Sequence, residues 1–579
     1  MKGIPMNGRS VANLREDVSI VLCGAAGQGV QTVEHILTQT LKLSGYNVFS
    51  TEEYMSRIRG GSNSTLIRVS SKRVSAYVDR IDLLIPFSPG AVTHARKRIS
   101  PRTVLLGEKK VFGSEYHGDK AIDVPLSEIA SQVGGPIYSN TVAVGLIAGL
   151  FRVEGDILKD YLRHHFSGKD DPTIRKNIDA AQRGYAVGQN LLKTEELQIE
   201  VQKNARLQNE IIIDGVEALA MGAIAGGCNF VPFYPMSPST GVATFLAQHS
   251  KEFGIVVEQA EDEISAMNMV IGAWYAGARA MASTSGGGFA LMVEGLSLAG
   301  MFESPAVIHL GQRPGPATGL PTRTEQGDLL FALYAGHGEF PRAIFAPGTI
   351  EDAFYLTQNA FNLADKYQIP VFILTDQYLL ESHYNIPSLD PSRVKLEKHI
   401  VETKEGYKRY QLTEAGISPR GIPGFGKGQV VLDSDEHDEE GHITENLELR
   451  TQMVQKRMRK LEQVKGETLP PELIGSPNYK ILIIGWGSNY HVIKEAIERL
   501  GRKDVAFLYF KQVYPLHPES DVYLKKAKHR VIVENNAASQ LGSLIRLETG
   551  YAMDHKILKY NGAPFSIEEL AENLHGVLR

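Results

Sequence analysis

Cysteine is scarce in this sequence of 579 residues: only Cys23 and Cys228 occur, far apart and each beside a glycine near an apolar run. A disulfide framework is thereby excluded, buried free thiols are expected, and the four thiolates an iron–sulfur cluster normally takes cannot come from this chain. Positive charge is not in excess either. The formal net charge is -5 and the sequence pI near 6.4, so no basic field invites nucleic acid. No apolar run is long enough to span a bilayer, and the opening MKGIPMNGRSVANLRED lacks the apolar core of a signal peptide. Together these absences predict a cytoplasmic protein that engages neither membrane nor nucleic acid. No solenoid-type repeat is visible. What is present, 43% hydrophobic and 22% charged residues, is ordinary globular material with length for about three or four domains.

From Val18 to about Tyr185, short β-branched runs alternate with helical stretches. VSIVLCG (Val18 to Gly24) has the apolar run of a buried strand, GAAGQGV (Gly24 to Val30) is a tight glycine turn, and TVEHILTQTLKLSG (Thr32 to Gly45) has apolar residues at helical spacing up to a glycine stop. With YNVFS, STLIRVS and DLLIPFS as further strands, residues 1–195 read as a doubly wound α/β domain. The polar segment from Leu192 to Asn209 predicts a helical linker. A second α/β domain, within 196–390, starts at IIIDGVEALAMGAIAGG and repeats strand runs at GIVVE, RAMAST, SPAVIHL, RAIFAP and IPVFILTD. Residues 391–475 are polar and turn-rich; LDSDEHDEEGH and the charged helix QKRMRKLEQVK read as a surface excursion. A third α/β domain, 476–579, takes its strands from YKILIIGWGSN, VAFLYF and HRVIVEN.

Several stretches could carry chemistry, and each has a plainer alternative. GAAGQGV between strand and helix lets backbone N–H groups of Gly27 and Gly29 approach an anion, or serves only tight strand–helix packing. SRIRGGSNS places Arg57 and Arg59 as a clamp for a second anion, or ends a basic hairpin. FYPMSPST sets prolines and hydroxyls, Ser237 among them, before a helix, where they cap it or donate to a carbonyl or carboxylate. GQRPGPATGLPTRTEQGD follows a strand, where α/β proteins place ligand contacts; Arg313 and Thr322 suit an anionic substrate, the guanidinium because its fork matches a carboxylate. STSGGGFALMVEGLSLAGMFESP puts Gly286, Gly287 and Gly288 at a strand-to-helix turn, a flat surface suited to an aromatic cofactor, before a helix with a single charge, Glu294, that must be buried in the protein or an assembly. Finally, Glu258, Glu261, Asp262 and Glu263 crowd the start of an apolar helix, where the macrodipole alone accounts for most of them.

Taken in order, GAAGQGV, SRIRGG, FYPMSPST, EQAEDEISAMNMVIGA, STSGGGFALM, QRPGPATGLPTRTEQGD, HGEFPRAIFAPGTIEDAF and VIVENN resemble the 2-oxoacid:ferredoxin oxidoreductases, specifically the subunit in which a gamma domain is fused ahead of the alpha domain. The sequence departs from that family in having Ser237 where threonine is common and Gly287 where proline is frequent. The resemblance implies three domains: gamma, thiamine diphosphate pyrimidine-binding, and transketolase C-terminal-like. It aligns Glu263 with the acid that hydrogen-bonds the aminopyrimidine ring, a role that demands a low-dielectric site, and Glu263 alone of the cluster is in register with the apolar face. It implies Ser237, Arg313 and Thr322 as substrate contacts and Pro235, Gly286, Gly287, Gly288 and Phe289 as the thiamine diphosphate surface. Gly27, Gly29, Arg57 and Arg59 would close over coenzyme A. The family's Gly-Asp-Gly segment for Mg²⁺ is absent here. By resemblance it lies with a [4Fe–4S] cluster on a beta subunit, so an (alpha–beta)₂ assembly serving ferredoxin is expected, with the C-terminal domain concerned mostly with assembly. The implied reaction is oxidative decarboxylation of 2-oxoglutarate with coenzyme A. Pyruvate or a branched 2-oxoacid is the alternative substrate, a non-oxidative thiamine decarboxylase the alternative enzyme, and a nucleotide-responsive assembly protein the non-catalytic alternative.

Overall fold

The computed structural model describes residues 12–55, 61–112 and 120–578, which form two compact units, 1–213 with 382–388, and 214–381 with 389–579. In the first unit, eight strands make one mixed sheet, in the order Ala121–Asp123, Val104–Gly107, Leu83–Pro86, Asp17–Ala25, Ser62–Ser70, Asn47–Glu53, Ser382–Ile386, Ile211–Ile213. The first four are parallel and the rest antiparallel. The doubly wound pattern therefore holds for only half of this sheet. Asn47–Glu53 and Ser62–Ser70 are joined by residues 54–61 alone, too few for the helical crossover that parallel neighbours need, so they fold back on each other. Ile211–Ile213, expected to open the second domain, instead finishes this sheet by pairing with Ser382–Ile386.

The segment expected to be a helical linker is not one. The helix Asp171–Lys193 stops, Leu197–Glu200 forms a strand parallel to Ala12–Arg15, and only Ala205–Asn209 is helical, as a 3₁₀ turn. Leu197 and Ile199 alternate with polar neighbours and are buried, a period-two signal outweighed in the sequence by the surrounding Glu, Gln and Lys. The long helix packs on Ser139–Leu150 through glycine: a Cβ on Gly145 or Gly184 would run into the backbone oxygen of Ala181 or Val142. This contact buries Ser139–Leu150 almost entirely. Among the described residues no single helix is long and apolar enough to cross a membrane. Cys23 and Cys228 are both buried and unbonded, and burial pushes each thiol up to about 12.

The second unit holds two larger sheets. Met281–Thr284, Ala306–Gln312, Pro370–Asp376 and Ala343–Phe345 run parallel, and Gln512–Tyr514 adds an antiparallel edge. That edge strand comes from the C-terminal domain, whose own sheet is ordered Glu472–Gly475, Val505–Phe510, Ile481–Trp486, His529–Glu534, His555–Leu558. All neighbours in it are parallel except the first pair. The strand runs read as RAMAST, SPAVIHL, IPVFILTD, YKILII and VIVEN are all present. Phe230–Phe233 and Val256–Gln259 form a separate parallel pair.

The charged helix Leu447–Lys465, solvated by the look of its sequence, has one face buried. Lys456 and Lys460, one turn apart, reach the carboxylate of Glu303 at 2.6 and 2.5 Å, with all three side chains at most 1% exposed. Burial raises the cost of that carboxylate, and the two ammonium groups with the nearby Arg409 more than offset it, holding Glu303 well below the usual carboxylate range. The polar excursion is thus fastened to the end of the helix Gly286–Met301 by an ion triad. Glu303→Gln leaves two buried lysines facing each other without an anion, and should destabilise the second unit by about 3–5 kcal/mol. Urea unfolding at neutral pH measures this; a loss below about 1 kcal/mol would mean water already reaches the lysines.

Candidate functional site

The strand Val256–Gln259 ends in a turn, and Asp262 caps the helix Glu263–Tyr275 by accepting from the Ser265 N–H at 2.7 Å. Glu263 is the first residue of that helix. The helix buries Ala266, Met267, Val270, Ile271 and Trp274, and Glu263 lies on the same stripe, three, four and seven residues before its members. It is therefore 2% exposed, while Glu258 and Glu261 face solvent. Its Oε1 is buried and makes no hydrogen bond. An acid oxygen kept dry with no donor is costly, and a donor from a bound group would relieve that cost.

What stands opposite that oxygen is the glycine triplet at the start of the helix Gly286–Met301. A Cβ on Gly288 would sit 2.5 Å from Glu263 Oε1, and one on Gly286 would sit 2.6 Å from Asp328 Oδ2. Glycine at both positions lets two carboxyl groups close on one helix start. Ser285, preceding it, keeps its hydroxyl buried and unpartnered, as is Asp328 Oδ2. Gly287 is exposed, 3.6 Å from the Ala317 carbonyl by its would-be Cβ, so the loop after Gln312 passes over the helix start. Phe289 points the other way, fully buried with ring centroids 4.9 Å from Phe331 and 5.3 Å from Phe372. It supports the helix from the core rather than paving its surface.

Arg313 joins the two loops. It is 8% exposed and donates from Nη1 to the Ser237 carbonyl at 2.7 Å, while its Nε is buried with no acceptor. Ser237 and Pro235 are exposed on their loop and Thr322 is half-buried on the other. The Ser239 hydroxyl, at the start of the helix Thr240–Gln248, donates to the Met236 carbonyl instead of capping, which folds the loop on itself. A buried chain runs beneath this loop: Ser283 Oγ lies 3.1 Å from the Ser239 carbonyl, His309 Nδ1 2.8 Å from Ser283, and Thr375 Oγ1 2.8 Å from His309 Nε2. Burial pushes His309 down to about 3, so the ring is neutral. With Ser283 donating to Ser239, the chain is ordered from Thr375 through His309 Nδ1–H to Ser283. Two donors, Arg313 and Ser283, thus pin the carbonyls on either side of Pro238.

The structure brings Glu263, Gly286, Gly288, Arg313 and the Ser237 loop together within the second unit. Gly27 and Gly29 belong to the first unit, where both have positive φ (+83° and +70°) in the turn before the helix Val30–Leu43; Arg57 and Arg59 lie outside the described residues. Sequence reasoning passes over Ser285, His309 and Asp328. Asp328 stands inside a motif of interest, and its signal is an acid at the start of an apolar helix; His309 is a polar residue in the middle of a mostly apolar strand.

Burial and the nearby Glu325 raise Asp328 to about 6, against the pull of Arg313. Since the folded-state value lies above the ordinary 3.8, the acid form contributes stability that is complete below pH 3.8 and lost as pH rises through about 6. Asp328→Asn, which copies the acid form, should be more stable than the native chain at pH 7.5 by up to roughly 3 kcal/mol and no more stable near pH 3.5. Chemical unfolding at the two pH values decides it; a pH-independent difference would place the charge in water.

Residues 221–456 match the family model described as pyruvate flavodoxin/ferredoxin oxidoreductase, thiamine diP-bdg, and residues 19–187 match pyruvate ferredoxin/flavodoxin oxidoreductase. The alpha subunit of 2-oxoacid:ferredoxin oxidoreductase from Sulfolobus sp is 34% identical, with 97% of each chain covered. The 2-oxoglutarate synthase subunit KorA of Archaeoglobus fulgidus is 33% identical over 63% of this chain and 99% of its own. Among solved structures, 2-oxoglutarate:ferredoxin oxidoreductase from Magnetococcus marinus, with 2-oxoglutarate, coenzyme A and succinyl-CoA bound, superposes with a TM-score of 0.91 at 31% identity, covering 97% of this chain and all of that one. With this likeness over nearly its whole length, and a thiamine diphosphate-binding model spanning the residues around Glu263, the chain belongs to the 2-oxoacid:ferredoxin oxidoreductase family.

Proposed function

We propose that this subunit takes part in the oxidative decarboxylation of 2-oxoglutarate with coenzyme A, giving succinyl-CoA, carbon dioxide and two reduced ferredoxins. The observation that carries the reading is the dry, unpartnered Glu263 Oε1 facing the backbone at Gly288. The orphaned oxygen and the glycine-lined space fit an aminopyrimidine. Thiamine diphosphate, when bound, supplies the nucleophilic carbon and the electron sink that decarboxylation requires. Glu263 would hold the proton shared with the pyrimidine ring nitrogen in a low-dielectric setting, where one charge-assisted hydrogen bond is strong. Gly286 and Gly287 would offer flat backbone to the ring and Pro235 would border it. Arg313, with Nε still free to donate, would take the substrate carboxylate, and Ser237 and Thr322 its carbonyl side.

A partner subunit would complete the site with the diphosphate-binding Mg²⁺ and a [4Fe–4S] cluster, in an (alpha–beta)₂ assembly. Apolar surface supports it: Leu291 on the helix Gly286–Met301 is 49% exposed, with Ile264 at 46% and Tyr334 at 60% in the same unit. In the first unit, Gly27, Gly29, Arg57 and Arg59 are proposed to meet coenzyme A through backbone N–H groups and guanidinium forks. The choice of 2-oxoglutarate draws on the relatives named for it. Pyruvate is the second reading, because Phe233, Met236 and Leu320 put apolar side chains on the two substrate loops.

Purified alone, the chain should reduce no viologen dye with any 2-oxoacid, and activity should appear with the partner subunit. In that complex Glu263→Ala should lower kcat by on the order of a hundredfold or more without disturbing assembly; an active variant would remove Glu263 from the chemistry. For a dicarboxylate enzyme, kcat/KM for pyruvate should fall below that for 2-oxoglutarate by on the order of a hundredfold. Equal values assign the protein to the broad-specificity branch. Arg59→Ala should raise KM for coenzyme A more than for the 2-oxoacid.

A further inference from the structure

The loop from Gln312 to Leu329 carries Arg313, Thr322 and Asp328, yet has little means of ordering itself. Pro314, Pro316 and Pro321 have no N–H to donate, and the chain adopts no regular structure until the helix Leu329–Tyr334. Within the loop the backbone bonds are few: Leu320 N–H to the Pro314 carbonyl at 3.0 Å and Arg323 N–H to the Leu320 carbonyl at 3.1 Å. The Asp328 N–H reaches Gln312 Oε1 at 3.0 Å and Thr324 Oγ1 accepts from the Tyr378 N–H at 3.3 Å, and the backbone of 324–327 is tied further by the C-terminal domain.

Gln326 is completely buried, and every one of its polar atoms is taken. Its N–H donates to the Asn535 carbonyl at 2.7 Å, and its own carbonyl accepts from Asn536 Nδ2 at 3.1 Å. Its side-chain amide donates to the Trp486 carbonyl at 2.9 Å and accepts from Asn489 Nδ2 at 2.8 Å and the Asn535 N–H at 3.0 Å. Two residues earlier, the Thr324 N–H donates to the Gly562 carbonyl at 3.1 Å. The socket has a floor of its own: the Glu534 carboxylate, fully buried, collects Asn536 Nδ2 at 2.7 Å, Trp486 Nε1 at 3.2 Å, and the N–H groups of Leu541 and Gly542 at 3.1 and 3.0 Å. The hydrogen-bond partners of the Gln326 side chain come from GWGSN and VIVENN, in the domain that the family resemblance concerns mostly with assembly.

We propose that this socket positions the Arg313–Asp328 loop, so that Trp486, Asn489, Asn535 and Asn536 set the affinity for the 2-oxoacid without touching it; the affinity part rests on the function proposed above. Full burial alone requires that the polar atoms of Gln326 be satisfied; what ties the socket to the site is its place two residues from Asp328, against which Gly286 packs. Gln326 acts as a positioning residue.

The test uses the complex with its partner subunit and two variants, Gln326→Ala and Asn489→Ala. Each should raise KM for the 2-oxoacid, by about tenfold for Gln326→Ala and about fivefold for Asn489→Ala, with KM for coenzyme A within about twofold of native. Amide hydrogen exchange should quicken over 317–325 and stay unchanged in the helix Gln540–Thr549, with the oligomer intact. Assembled variants with native KM and native exchange in the loop overturn the proposal, and so does a change confined to the oligomeric state. Should Gln326→Ala fail to assemble, Asn489→Ala, which removes one hydrogen bond, decides between these outcomes by itself. A native complex inactive with every 2-oxoacid would instead overturn the proposed function and the affinity claim with it, while loop exchange would still report on the socket.

Discussion

A carboxylate withdrawn from water must be given donors or cost several kcal/mol, and the second unit answers that demand in three ways. Glu303 is met by two ammonium groups. Glu534 is met by neutral donors, two of them backbone N–H groups at the start of the helix Gln540–Thr549, where the helix dipole adds to the effect. Glu263 is met at Oε1 by nothing. The first two carboxylates are satisfied within the fold and serve it. The third is left open, and the surrounding structure keeps it open: Asp262 takes the cap so that Glu263 need not, the apolar stripe from Ala266 to Trp274 forces it inward, and Gly288 removes the side chain that would cover it.

Much of this is legible from residue patterns. The strands with unbroken apolar runs need no context, because a buried parallel strand carries its signal in itself, and the register of Glu263 with Ala266, Met267 and Val270 singles it out from three neighbouring acids. Where pairing partners decide the outcome, the sequence is mute. Nothing within Ile211–Ile213 says that it joins Ser382–Ile386, far along the chain, and nothing within Leu197–Glu200 names Ala12–Arg15 as its neighbour. The same blindness hides the buried face of QKRMRKLEQVK, since Lys456 and Lys460 look solvated until Glu303 is placed opposite them. Phe289 illustrates the converse: the motif around it is readable, but which way its ring points depends on Phe331 and Phe372.

Two of the site's parts, the Ser237 and Arg313 loops, take their rigidity from outside themselves. Pro238 and the three prolines of the Arg313 loop restrict the backbone but cannot donate, so each loop must be tied by groups from elsewhere. The Ser237 loop is held from below by the ordered chain through Ser283, His309 and Thr375 and from the side by Arg313. The neutral state of His309 matters to that chain, because a doubly protonated ring could no longer accept from Thr375.

Such external fastening fits the proposed half-site, which a partner subunit would complete. Ordering a loop costs about 1–2 kcal/mol per residue in backbone entropy, and a loop left free would weaken every encounter with cofactor, substrate or partner by that amount. Fixing it beforehand inside one polypeptide moves the cost to folding, where the hydrophobic core of the unit offsets it. The antiparallel edge strand Gln512–Tyr514 shows how firmly the C-terminal domain is committed to this task, since it extends the very sheet whose strands carry His309, Ser283 and Thr375. Domains that merely met at a surface could shift against each other. A shared sheet fixes the distance between the socket for Gln326 and the strand ends that bear the site, so the loop between them has one length to span and one place to lie.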